Sequence, residues 1–100
     1  MVTLSQTPAR HPQSASSIVD GQALIVLATS GEVIVLNETG AQLWAWVDGQ
    51  ANGAELAARL ARVYDLSAAQ AAADTLSFLR ALVDAGALVI VGEASRGAGE

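Results

Sequence analysis

Apolar positions in the first third of the chain fall in short runs separated by turn residues. Ile18-Val19 runs into Asp20-Gly21, a dipeptide suited to a tight hairpin turn. Ala23–Ala28 forms a second run, closed by Thr29-Ser30-Gly31-Glu32, and Val33-Ile34-Val35-Leu36 forms a third. Runs this short, bounded by turns, predict three strands in an antiparallel meander.

After Leu36 the period lengthens. Asn37 is suited to cap a helix, because its side chain accepts a bond from a free first-turn N–H. The spacing of Leu43, Trp44 and Val47 predicts a helix ending at Asp48-Gly49, with Trp44 on its buried stripe and Trp46 exposed or partly covered. Leu56, Leu60 and Val63 predict a second helix over Ala54–Val63. Ser67 then caps a third, Ala68–Ala85, with Gly86 placed as its left-handed terminating residue. This last helix carries two apolar stripes: Ala72, Leu76, Leu79 and Val83, and beside them Ala71, Thr75, Phe78 and Leu82. One stripe belongs against the chain's own core, leaving part of the other for a partner. The fold class expected is therefore α+β, a three-stranded antiparallel sheet followed by three helices, winged helix-turn-helix-like. Pro8, Pro12 and several Ser and Thr make residues 1–16 a flexible arm. Residues 17–91 form the folded domain, and the Gly- and Ala-rich residues 92–100 a flexible tail.

Composition narrows the function. The 100 residues are 52% apolar but only 4% aromatic, so the core is aliphatic, and there is no cysteine for disulfides or thiolate metal sites. No apolar run approaches the roughly 20 residues that span a bilayer, and Met1–Arg10 has no signal-peptide pattern. A cytoplasmic setting without membrane attachment is expected. Catalysis lacks its parts. The single histidine, His11, sits in the arm, where a general base would not be held in place. No Ser or Thr has an anchored histidine beside it, no ligand cluster has metal spacing, and no Gly-rich phosphate loop precedes a helix. The expectation is a non-enzyme without cofactors or metals.

Two binding classes then compete. A winged helix-turn-helix could read DNA, but net charge is −5, the five arginines are scattered, and the third helix offers only Asp74, Arg80 and Asp84 as charges. Nucleic acid is not an expected partner. A peptide suits the pattern better: the strand Val33–Leu36 leads directly into the first helix and is placed to be an open edge, which accepts an extended partner through backbone bonds. An open edge also permits pairing with a second copy, so a strand-edge oligomerisation module is the alternative.

The series Gly31-Glu32-Val33-Ile34-Val35-Leu36-Asn37-Glu38-Thr39-Gly40, Trp44, Asp48-Gly49, Glu55-Leu56, Leu60, Tyr64-Asp65, Asp74, Phe78-Leu79, Leu82 and Gly86-Ala87-Leu88 resembles the PqqD-like family over about residues 17–90. The resemblance implies a RiPP recognition element, a stand-alone domain that binds the leader of a ribosomally synthesised precursor peptide. It acts as a peptide chaperone that delivers the precursor to a modifying or processing enzyme. In that family the leader docks beside the third strand, in a groove walled by the third helix. Carried onto this sequence, the resemblance implies a groove formed by Val33, Ile34, Val35 and Leu36 facing Asp74, Phe78, Ala81 and Leu82. Asp74 would receive a polar or basic leader group, Phe78 an apolar one, and Arg80 a carboxylate. The implied partners are the precursor peptide and its enzyme. A lasso-peptide leader peptidase is favoured, with a radical SAM enzyme next. The high alanine content implies a shallower or narrower groove than the family average.

Overall fold

A computed structural model describes residues 2–20, 22–28 and 30–92. Strands β1 (Pro8–Arg10), β2 (Ser14–Val19), β3 (Gln22–Leu27) and β4 (Val33–Leu36) precede helices α1 (Glu38–Trp46), α2 (Gly53–Val63) and α3 (Ala68–Ala85), and β5 (Leu88–Ile90) closes the fold. β2, β3 and β4 form an antiparallel sheet in that order, and β1 pairs antiparallel with β5 in a separate two-stranded sheet.

The meander is set by its turns. Val19 pairs with Gln22 across a two-residue connection, and Asp20 takes a positive φ of 53° there. This left-handed conformation is one that Asp tolerates better than most residues. At the other end Gly31, at φ 74°, donates its N–H to the Leu27 carbonyl (2.7 Å) while the Leu27 N–H donates to the Glu32 carbonyl (2.9 Å). Two residues entering β4 thus oppose one on β3, a bulge with glycine at its left-handed position. Alternation along β3 does the rest: Ala23, Ile25 and Leu27 are buried, whereas Leu24 and Val26 face the other way.

Caps fix the helices. Asn37 accepts the Gly40 N–H (2.9 Å) and Ser67 accepts the Gln70 N–H (3.1 Å), while Gly86 ends α3 at φ 87°. α2 starts with a full capping box, in which Asn52 accepts from the Glu55 N–H and the Glu55 side chain accepts from the Asn52 N–H. Its first residue is Gly53, one position before the expected start. The buried line of α3 runs Ala71, Thr75, Leu79, Leu82, so it draws on both predicted stripes. Ile25 and Leu27 from the sheet, Leu43 and Trp44 from α1, Leu56 and Leu60 from α2, and Leu79, Leu82 and Leu88 make one core.

The expectation of a loose arm over residues 1–16 is corrected. Pro8 is buried at the start of β1, and Ser14–Ser16 already belong to β2. The His11 N–H donates to Ala87 (2.9 Å) and the Val91 N–H to Thr7 (2.8 Å), which puts the Pro8–Ile90 pair at a position where no ladder bond is made. The missing proline N–H therefore costs the ladder nothing. Further back, the Gly53 and Ala54 N–H groups at the start of α2 donate to the carbonyls of Gln6 (3.0 Å) and Leu4 (2.8 Å). The N-terminal segment serves as a cap for that helix. Of the predicted tail, Gly92 lies in a turn at φ 85°, and residues 93–100 lie outside the described residues.

Candidate functional site

The bulge at Gly31 sets the phase of β4. Ladder bonds alternate along an antiparallel pair, so with Leu27 and Glu32 bonded, the pairs Ile25–Ile34 and Ala23–Leu36 are the bonded ones further along. Ile34 and Leu36 thus spend their N–H and C=O groups on β3. Val33 and Val35 direct theirs to the outer edge, which no strand among the described residues covers. Side chains divide the other way. Ile34 and Leu36 are half-buried and packed against the core, and Val33 and Val35 are exposed.

Beside this edge lies a groove of about 470 Å³ between the β4–α1 junction and α3. Its apolar side chains are Leu36, Leu43, Leu60 and Phe78, Val35 borders it from the strand edge, and Asn37, Thr39, Asp74 and Ser77 are its polar groups. Gly40 lets α1 start close against β4, because a Cβ there would lie 3.2 Å from Asn37 Oδ1 and 3.3 Å from Leu36 Cβ. The polar groups are partly committed. Asn37 Oδ1 accepts from the Gly40 N–H and from Thr39 Oγ1 (3.1 Å), and Asp74 Oδ1 accepts from Gln70 Nε2 (2.8 Å). Asp74 is exposed and keeps its second carboxylate oxygen for another donor, and it is the only formal charge lining the groove. Next to the groove, the Tyr64 hydroxyl donates to Glu38 Oε2 (3.5 Å), and desolvation together with the Glu38 carboxylate raises its pKa above the ordinary tyrosine value.

Of the residues singled out from sequence, the structure brings Leu36, Asp74 and Phe78 together in the groove, with Val35 at its border. Val33 stands on the exposed edge, and Ile34 packs against the core. Leu82 is a core residue, while Arg80 and Ala81 are exposed on α3 away from the groove lining. Sequence reasoning missed Asn37, Thr39, Gly40, Leu43, Leu60 and Ser77. Asn37 was legible only as a cap, and Leu43 and Leu60 only as core, since periodicity reports burial and not which buried residue floors a cleft. Among the described residues no cluster of His, Cys, Asp or Glu is arranged to hold a metal, and no helix is long and apolar enough to cross a membrane.

A three-stranded antiparallel sheet backed by three helices, with an open strand edge beside a helix-walled groove, defines a winged helix-turn-helix-like domain. The sequence matches the family described as coenzyme PQQ synthesis protein D (PqqD) over residues 15–88, and the chain belongs to that family. Among solved structures, TbiB1 in complex with the TbiA(beta) leader peptide aligns with a TM-score of 0.74 at 18% identity, covering 84% of this chain and 95% of that one. A lasso peptide synthetase B1 complexed with the leader peptide aligns with a TM-score of 0.74 at 21% identity, covering 82% of this chain and 96% of the other. No curated protein matches the sequence.

Proposed function

We propose that this chain binds the leader region of a ribosomally synthesised precursor peptide and delivers it to a modifying or processing enzyme. The observation that carries this reading is the unpaired β4 edge beside the groove of Leu36, Phe78 and Asp74. A leader added as a fourth strand bonds to the outward backbone groups of Val33 and Val35, and its alternate side chains enter the groove on the Leu36 side. An apolar leader side chain meets Leu36 and Phe78 above the buried Leu43 and Leu60, and a donor or cation next to it meets Asp74. Strand pairing with a few buried side chains offsets the entropy of ordering the leader. Membership of the PqqD family, and the two structures of this fold complexed with leader peptides, support the same reading. The lasso context of one of them favours a leader peptidase as the enzyme over a radical SAM enzyme.

The test is a calorimetric titration with the leader of a precursor peptide encoded beside this chain, paired with a backbone NMR titration. Micromolar or tighter binding is expected, with shifts at Val33–Leu36, Asp74 and Phe78. Phe78→Asp should weaken binding at least tenfold without unfolding, since Phe78 lines the groove and is only half-buried. Absence of heat, or shifts confined to the chain ends, would overturn the reading.

A further inference from the structure

Strand addition to a sheet edge is ordinarily selective on one side only: alternate side chains of the added strand enter pockets, and the others face water. β4 departs from this. Ala15, Val26 and Val33 lie in one cross-strand row and Ser17, Leu24 and Val35 in the next, on the sheet face turned away from the helices. An antiparallel sheet with one face on the core normally carries polar side chains there, and a free edge normally carries a charge or a proline. The outer face of β4 has neither. Its side chains are Val33, 59% exposed, and Val35, 58% exposed.

Both rows become more apolar towards the free edge. They run from the small Ala15 and Ser17 on β2, through Val26, 44% exposed, and the half-covered Leu24 on β3, to the two valines. The exposed apolar surface is thus greatest at the last strand. That is the width a single added strand covers, since directly opposed side chains stand about 5 Å apart. Val33 and Val35 are also the residues that turn their N–H and C=O groups outward. A residue paired opposite either of them shares its face, while the residue between, opposite Ile34, points to the helix side. A folded partner or a second copy needs about 800 Å² on each side. Two valines do not supply that, and an extended peptide does not require it.

We infer that the leader is read on both faces: two leader residues separated by one position pair with Val33 and Val35 on the outer face and are β-branched or aromatic. The inference rests on the leader-binding reading and narrows its substrate class, from a segment with an apolar groove residue to one with apolar residues in both phases. Val33 and Val35 then determine specificity through their side chains as well as affinity through their backbone. Each such cross-strand pair changes affinity by up to about fivefold relative to alanine. An acidic residue at either position would meet apolar neighbours on a chain of net charge −5.

The experiment uses the full chain and the leader of a precursor peptide encoded beside it, with each leader residue replaced in turn by serine and binding followed by fluorescence anisotropy. Two positions, i and i+2, should each lose about three- to fivefold, besides the groove position of opposite phase. The double variant Val33→Thr, Val35→Thr keeps the branched shape and the strand preference. It should bind the parent leader about three- to tenfold more weakly. Serine at i and i+2 should then cost almost nothing, while the loss at the groove position persists. Phe78→Ala should give the converse. The scan on the wild type decides by itself if the double variant misfolds. Losses in one phase only, or losses at i and i+2 that the double variant leaves unchanged, would overturn the inference and leave leader binding standing. A dimer that the double variant dissolves at unchanged leader affinity would assign the valines to a second copy, and enzyme binding lost in the same way would assign them to the enzyme. Either result sinks the proposal. No binding of the parent leader by the wild type would instead remove the leader reading, and the inference with it.

Discussion

Thr75 shows how a single residue departs from its pattern. It occupies the buried line of α3, fully buried, and its hydroxyl has no hydrogen-bond partner. A buried, unsatisfied polar atom costs about 1–3 kcal/mol. Valine keeps the branched shape and removes the oxygen, so Thr75→Val should stabilise the domain by roughly 1 kcal/mol, read as a higher urea midpoint at unchanged slope. A lower midpoint would mean that the hydroxyl is satisfied in solution. Asp48 works in the opposite sense. Its Oδ1 accepts the N–H groups of Ala51 (3.0 Å) and Gln50 (2.8 Å), which hold the turn between α1 and α2 and keep the carboxyl below its usual 3.8. A depressed folded-state pKa contributes stability that is fully present above the unfolded value and disappears as pH falls through the folded one. Asp48→Ala should therefore melt earlier than wild type at pH 7, and the difference should shrink as pH drops below 3.8. A gap that stays constant down to acid pH would locate the effect in the turn backbone and not in the carboxylate.

At the scale of the element, β4 is a strand whose two edges do different work, and proline separates them. Val33 turns its N–H outward, so Val33→Pro removes a donor that β3 does not use, and edge strands accept proline at such positions. Ile34 turns its N–H to β3, so Ile34→Pro breaks the ladder. Val33→Pro should keep the thermal transition within a few degrees of wild type and abolish leader binding, whereas Ile34→Pro should unfold the sheet. Equal loss of stability in both variants would mean that the phase set by Gly31 is wrong. The existence of this strand was legible in Val33-Ile34-Val35-Leu36, as were the caps Asn37 and Ser67 and the terminator Gly86, because each depends on local chemistry. Which face met the groove was not, since both alternating pairs are aliphatic and only the bulge separates them. β1 and β5 were illegible for a different reason. Three-residue strands have too little period to register, and Pro8 and Pro12 read as loop signals where the ladder spares Pro8.

In the whole molecule, the N-terminal segment ties the helical layer to both sheets. Residues before 15 fall outside the family match, yet Arg10 donates to the Trp44 carbonyl at 2.7 Å and lies 4.8 Å over its indole ring, while the Trp44 indole N–H donates to Ser16 Oγ at 3.0 Å. Among the described glycines, Gly53 is the most tightly packed. It is the first residue of α2, and a Cβ there would stand 2.9 Å from the Leu4 Cα and 3.0 Å from Leu79 Cδ1. Propensity and packing make opposite predictions at this position. Alanine is better than glycine in a helix by about 1 kcal/mol, but the first obstacle is backbone, which moves only if the whole segment from Leu4 to Gln6 lifts from α2. That would also stretch the bonds by which Gly53 and Ala54 donate to Gln6 and Leu4. Overpacking of this kind costs about 1–3 kcal/mol, so the clash outweighs the propensity. Gly53→Ala should lower stability by roughly 1–2 kcal/mol and speed amide exchange at Gly53 and Ala54, with leader affinity unchanged because neither residue lines the groove. A variant more stable than wild type, with protected amides at both positions, would show that the segment rests loosely on α2 and that the helical layer holds together without it.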